Sequence, residues 1–204
     1  AGQQIAQCSD AGMPSISDPG KELVAAATAA GIPVVPLPGA NAGLTALIAS
    51  GLAPQPFYFF GFLERKHQQQ AATLTALKDR QETMIFYEAP HRLVKTLAVM
   101  AEVLGGDRSV VVARELTKRY EEFTRGTLDE VTSFFKSHQI KGEFVIIVQG
   151  NDHPGTDEED QQGTPMEQID QAIAKGLTTN AAIKLVAKQN GLNRQELYKQ
   201  YHHI

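Results

Sequence analysis

The chain has 204 residues, 42% of them hydrophobic and 21% charged, with a formal net charge of −4. That is the composition of a water-soluble globular protein, long enough to bury one large core or two small ones, and it excludes a disordered or fibrous chain. No apolar run approaches the roughly 18–20 residues of a membrane span, and the opening residues do not read as a signal peptide. The single Cys8 excludes a disulfide framework and a cysteine-based zinc site, which points to a reducing cytoplasm. The charge is unevenly spread. Residues 151–163 carry five acids and no Lys or Arg, so the remainder is nearly neutral, at +1. Residues 60–126 hold eleven Lys/Arg against nine acids, and 164–204 hold five against three. This balance permits an RNA partner without diagnosing one.

In chain order, residues 3–8 read as a short strand, and Asp18 with Pro19 reads as the cap and first position of a helix that stops at Gly31. PVVPL at 33–37 reads as a second strand, and the helix after it is capped by Asn41 and ended by Gly51. A β-α-β-α order implies parallel strands with loops gathered at their carboxyl ends. About fifty residues are too few to cover both faces of a parallel sheet, so this lobe is expected to be incomplete at its N-terminal side. A second α/β unit runs over 56–150. It contains FYFFGFL (57–63), a polar helix near 67–80, the strand TMIFYE, a helix stopped by Gly105, and the strand SVVVAR. RYEEFTR follows as a strand, then a helix boxed by Thr127 and Glu130, and EFVIIVQ (143–149) closes the unit. The 109–114 to 120–125 connection is too short for a crossover, which makes that pair antiparallel and the sheet mixed. The acidic stretch 151–163 reads as a linker. Residues 164–204 read as three short helices with helix-turn-helix spacing, either a packing module or a nucleic-acid reader.

Several motifs carry chemistry. CSDAGMPSISDPG (8–20) spends nine of thirteen residues on Ser, Asp, Gly and Pro at a strand's carboxyl end. Pro14 and Pro19 fix backbone, while Gly12 and Gly20 let backbone approach a ligand. The plain alternative is a stiff connector. PLPGANAGLTAL repeats the arrangement, with Gly39, Ala40, Asn41 and Ala42 opening a helix whose first amides are accessible. YEAPHRL places Glu88, His91 and Arg92 together. Arg92 suits a phosphate and His91 a proton near neutral pH, against the plainer readings of a Glu88–Arg92 ion pair and a capped helix residue. ARELTKRYEEF supplies Arg114, Glu115, Lys118 and Arg119, or simply a solvated charged face. No dinucleotide or P-loop glycine pattern occurs, and the six His show no metal-ligand spacing, so no metal is expected.

Taken in order, SDAGMPSISDPG, PLPGANA, FYFFGFL, YEAPHR, VVVAREL and RGTLDEV…KGEFVIIVQG resemble the ribosomal RNA small subunit methyltransferase I family. That family belongs to the tetrapyrrole-methylase-like, class III methyltransferases. The resemblance covers about residues 3–150 and, more weakly, the helical tail. It implies a two-lobed α/β fold, usually homodimeric, with S-adenosyl-L-methionine in the cleft between the lobes. It implies methyl transfer to the 2′-hydroxyl of a cytidine in 16S rRNA. By the same resemblance, Ser9, Asp10, Ala11, Gly12, Met13 and Pro14 line the cosubstrate's methionine end, and Gly39, Ala40, Asn41 and Ala42 meet it from the next strand. Arg114, Glu115, Lys141, Gly142 and Glu143 approach from the second lobe. The family's opening strand and its Asp-Thr-Arg segment have no counterpart here, and Asn41 stands where Ser is common. Glu88, His91 and Arg92 are the catalytic candidates. Arg92, Lys118 and Arg119 are the expected RNA-phosphate contacts. A precorrin-type tetrapyrrole methylase would share fold and cosubstrate with less need of these cations, and a non-enzymatic RNA-binding module would lack the cosubstrate.

Overall fold

The computed structural model describes residues 2–152, 154, 163–174 and 176–202. It separates into two compact units, Ala1–Pro154 and Gly155–Ile204. The division falls within the acidic stretch expected as a linker, most of which lies outside the described residues.

The first unit is built on a five-stranded sheet of order β1-β2-β5-β3-β4. The strands are β1 (Phe57–Phe62), β2 (Thr83–Glu88), β3 (Ser109–Arg114), β4 (Glu122–Thr127) and β5 (Phe144–Val148). β1 and β2 run parallel, and every other pairing is antiparallel. The sheet is mixed, as the short β3–β4 connection requires. Side-chain alternation divides the core. Met84, Phe86, Val110, Val112, Phe144, Ile146 and Val148 face one side, where α3 (His67–Leu77), α4 (Leu93–Leu104) and α5 (Leu128–Ser137) cover them. Ile85, Val111, Ala113, Val145 and Ile147 face the other side, where α2 (Ala42–Ser50) lays Ala46 and Leu47 against them. Residues 1–55 and 56–150 therefore fall within one compact unit. Each fully buried Leu, Ile or Phe contributes about 1.5–3 kcal/mol, so this core dominates the unit's stability.

Two connections fix α2. Its N-cap Asn41 accepts the Leu44 amide. At its other end, Arg125 of β4 donates Nη2 to Ala49 O (2.7 Å) and Nε to Ser50 O (3.2 Å). A cation there suits the negative end of the helix dipole. The capping box at Thr127 and Glu130 forms as expected.

Residues 2–41 depart from the sequence expectation. Neither 3–8 nor 33–37 forms a strand, and all of 31–40 is exposed. A strand exists only by pairing, and neither segment joins the sheet's order. Helix α1 (Lys21–Ala29) begins after Gly20, which sits at φ 140° with no side-chain cap. Asp18 and Pro19 do not open it. The Pro19 carbonyl accepts from Gln7 Nε2 and the Ser15 amide, so the first helical bond, from Val24, falls to the Gly20 carbonyl. The stop at Gly31 holds: at φ 69° it lets the Ile32 amide reach Ala27 O, closing the last turn.

The second unit holds α6 (Pro165–Ala174), α7 (Thr179–Gln189) and α8 (Arg194–His202), packed around Ile169, Ala182, Ile183, Val186, Ala187 and Leu197. Glu167 and Thr164 form the expected reciprocal cap. Asn193 Oδ1 accepts the Gln195 and Glu196 amides at the start of α8. No helix is long and apolar enough to cross a membrane among the described residues.

Candidate functional site

The two Gly/Pro-rich loops meet. Ser9 Oγ donates to Gly12 O (2.9 Å), closing 9–14 on itself. A Cβ on Gly12 would lie 3.0 Å from Ala40 O, and one on Gly39 would lie 3.1 Å from Met13 Cγ. The backbones of 9–14 and 39–42 are thus in contact, at a spacing that side chains at those glycines would disturb. Asp10, Ala11, Gly12, Gly39, Ala40 and Ala42 are exposed, so short residues and backbone form the surface.

Tyr87 ties this pair to the sheet, which sequence reasoning missed. Its phenol oxygen accepts the Gly43 amide (3.0 Å) at the start of α2, and its ring packs edge-on against Phe59 and Phe62. Burial pushes the phenol's pKa up. The Gly43 hydrogen bond opposes that rise and nearby Asp18 adds to it. The partners are 44 positions apart, beyond any local pattern.

The second pair of loops is locked by charge. Lys118 Nζ reaches Glu115 (3.0 Å) and Glu143 (2.8 Å). Glu115 Oε1 also accepts the Glu143 amide (2.9 Å), and the Glu115 amide donates to Glu143 O. Arg114 Nε donates to Lys141 O (2.7 Å). Glu115 holds φ 48°, and a Cβ on Gly142, itself at φ 98°, would fall 2.5 Å from Glu115 Cγ. The bridge sets both pKa values. The Lys118 hydrogen bond holds the Glu115 carboxyl below its ordinary value, and the hydrogen bond to Glu143 raises the Lys118 ammonium above its own. Arg114, Glu115, Lys141, Gly142 and Glu143 therefore come together. Among the described residues, no hydrogen bond joins them to 9–14 or 39–42.

In YEAPHR the plainer reading of two residues is what the geometry displays. Glu88 is 3% exposed; its oxygens accept from the Thr96 hydroxyl and the Ala89 amide, and Arg92 Nε lies 3.3 Å away. Arg92 Nη2 donates to Leu63 O and Glu64 O, both at 2.9 Å. Gln70 extends the buried chain by donating to Thr96. This network joins the carboxyl ends of β1 and β2. His91 stands exposed on the turn beside it. Of the cations expected at RNA, Arg92 and Lys118 are engaged within the protein, while Arg119 is exposed with its guanidinium 5.5 Å from the Tyr120 ring centre. No group of three or more His, Cys, Asp or Glu is placed to hold a metal among the described residues.

Residues 1–132 match the family model for tetrapyrrole (corrin/porphyrin) methylases. The chain is 53% identical to the ribosomal RNA small subunit methyltransferase I of Bacillus subtilis, over 99% of this chain and 70% of that protein. It is 48% identical to the protein of the same name from Halalkalibacterium halodurans, over 98% of this chain and 70% of that one. The Synechocystis protein of that name is 46% identical over 98% of this chain and 71% of its own length. Among solved structures, the methyltransferase CobJ aligns with TM-score 0.53 at 21% identity, over 68% of this chain and 62% of CobJ. A cobalt precorrin-4 methyltransferase aligns at 0.50 and 18% identity, over 68% and 61% of the two chains. These two likenesses establish the fold alone. With more than half its length matched by the family model and near-full-length relatives at about 50% identity, the chain belongs to the tetrapyrrole methylase family, within its ribosomal RNA small subunit methyltransferase I branch.

Proposed function

We propose that the chain carries S-adenosyl-L-methionine-dependent methyl transfer to the 2′-hydroxyl of a cytidine in 16S rRNA. The observation that carries this reading is the 53% identity to a protein named for methylating small-subunit ribosomal RNA. The contact of loops 9–14 and 39–42 supports the cosubstrate. A surface of backbone and short side chains fits a flat nucleoside with a flexible amino-acid arm, and the glycines let the two loops that form it pack closely. Ser9 to Pro14 and Gly39 to Ala42 would hold it, with the backbone of Arg114, Glu115, Lys141, Gly142 and Glu143 as a second contact.

When bound, the sulfonium supplies an activated methyl group. Transfer forms an O–C bond, breaks a C–S bond, and leaves a neutral thioether and one proton to be removed. The protein's task is alignment and exclusion of water, and well-aligned positioning is worth about 7–11 kcal/mol. The Lys118 bridge and the Tyr87–Gly43 bond keep two loop pairs rigid for that purpose. His91, exposed at the end of β2, is our candidate to accept the hydroxyl's proton. Glu88 and Arg92 then act as positioning residues that hold its turn. Binding to 16S rRNA in the cytoplasm and a homodimeric assembly complete the proposal.

Mass-spectrometric mapping of ribose methylation in 16S rRNA, with and without the gene, tests it. Loss of one 2′-O-methylcytidine on deletion is the expected result. An unchanged 16S map with altered corrinoid or porphyrin methylation would favour the tetrapyrrole reading instead.

A further inference from the structure

The tail, whose helix-turn-helix spacing suits either a packing module or a nucleic-acid reader, carries a cleft outside the site described above. Asn180, Arg194, Gln195, Tyr198 and Lys199 line a cleft of about 590 Å³ between α7 and α8. No acidic residue lines it. Two of the unit's three described acids are engaged elsewhere, and the third, Glu196, exposed in the first turn of α8, is not among the lining residues. Glu167 accepts from the Thr164 amide and hydroxyl, and Asp170 accepts the Tyr201 hydroxyl (2.6 Å). Arg194 and Lys199 are exposed and form no ion pair among the described residues. Tyr198 is half-buried: its ring packs against the helical core on one side and lies 4.4 Å from the His202 ring. Two unpaired cations, two side-chain amides and one ring thus share a single concavity.

The contrast with 114–119 sharpens the point. There Lys118 is bridged by two carboxylates and Arg114 is spent on Lys141 O and Glu122. A phosphate would have to displace a carboxylate at Lys118, whereas Arg194 and Lys199 have no ion-pair partner among the described residues.

We infer that this cleft binds a single-stranded stretch of the RNA substrate, with Arg194 and Lys199 on phosphates and Tyr198 beneath a base. Cations tracking a backbone beside an aromatic face are the chemistry of sequence-tolerant single-strand binding, where base stacking adds to phosphate neutralisation. Asn180 and Gln195 supply donors and acceptors for base edges or ribose hydroxyls. The inference rests on the RNA reading above and names where that substrate is gripped.

The test uses the full chain, a fluorescein-labelled single-stranded oligouridine 12-mer, deproteinised 16S rRNA, and S-adenosylhomocysteine. The Arg194→Gln/Lys199→Gln double variant is expected to bind the 12-mer at least tenfold more weakly. Its log affinity against log salt should be shallower by about 1.4, two single-strand phosphate contacts' worth. S-adenosylhomocysteine affinity should not change. Tyr198→Phe should retain binding, because the ring remains. The double variant's two positions are exposed, so its helical circular dichroism should match the wild type; a loss of helix would identify a folding defect in the tail. Wild-type affinity and slope in the double variant, with 16S methylation intact, would overturn the site and leave the enzymatic reading standing. Cleft-dependent 12-mer binding without 16S methylation would overturn that reading and leave the site standing. Equal displacement of the 12-mer by poly-L-glutamate would overturn the site in favour of an acidic protein partner.

Discussion

Two stretches of the first unit bring loops to the proposed ligand, and they are held by different means. Residues 57–148 carry theirs on a laddered sheet with a core on both faces, and add the Lys118 bridge on top. Residues 2–41 carry theirs with almost nothing buried: Gly20 is the one buried residue among them, while Ile5, Val35 and Leu37 are each about four-fifths exposed. What steadies 9–14 and 39–42 is contact with each other, the turn around Pro19, and the tie from Gly43 to Tyr87. One half of the site is thus fixed by its scaffold, and the other by a few hydrogen bonds and close backbone packing.

The largest expected contrast is in hydrogen exchange. Amides of 144–148, central in the sheet and buried, should be protected at least a thousandfold more than those of 32–37, which are exposed and unladdered. Equal protection in a monomer would erase the comparison.

Next in size is Arg92→Met, which strips the partner from a carboxylate that is 1% exposed. Breaking such a buried pair costs about 3–5 kcal/mol; the Thr96 and Ala89 bonds that remain place this one near 3. The measurement is the thermal transition together with the salt slope of RNA binding. An unmoved transition with a shallower slope would restore Arg92 to the RNA surface.

Smaller effects should come from the bridge. Gly142→Ala puts a methyl group into Glu115 at a left-handed backbone position, so S-adenosylhomocysteine affinity should fall about tenfold. Lys118→Met should lower it several-fold while leaving the RNA salt slope unchanged, the opposite of a phosphate contact. The pH dependence follows from the signs of the shifts. The lowered Glu115 keeps its contribution down through the ordinary glutamate range and loses it as pH falls through the depressed value. The raised Lys118 keeps its contribution through the ordinary lysine range and loses it as pH rises through the elevated value. Affinity should therefore be flat across neutral pH in the wild type. A step near pH 7 would contradict the bridge.

The same comparison shows what was legible in the sequence. Helices α2, α4 and α5, the caps of α2 and α5, the Gly105 stop of α4 and the presence of all five strands followed from local pattern, because capping boxes and bounded apolar runs act within a few residues. The fourth strand, expected over RYEEFTR, starts at Glu122 because 119–120 lie in the turn. The Glu88–Arg92 pair was visible for the same reason, being four apart. The strands expected at 3–8 and 33–37 had the right pattern, but pattern alone supplies no neighbour to pair with. The α1 start was misread because Gln7 takes the Pro19 carbonyl from twelve positions away. Tyr87 to Gly43, Lys118 to Glu143, and Arg125 to Ala49 span 44, 25 and 76 positions. Such contacts exist only once the sheet has formed.

The most direct test of the account is a calorimetric titration of S-adenosylhomocysteine into the wild-type chain and into Gly12→Val. Gly12 lies at φ 70° with Ala40 O only 3.0 Å from where a Cβ would sit, so valine there must push the two loops apart. The account predicts saturable 1:1 binding to the wild type and at least a hundredfold loss in the variant, with little change in thermal unfolding because the loop is exposed. No heat with the wild type, or equal affinity in both, would contradict it.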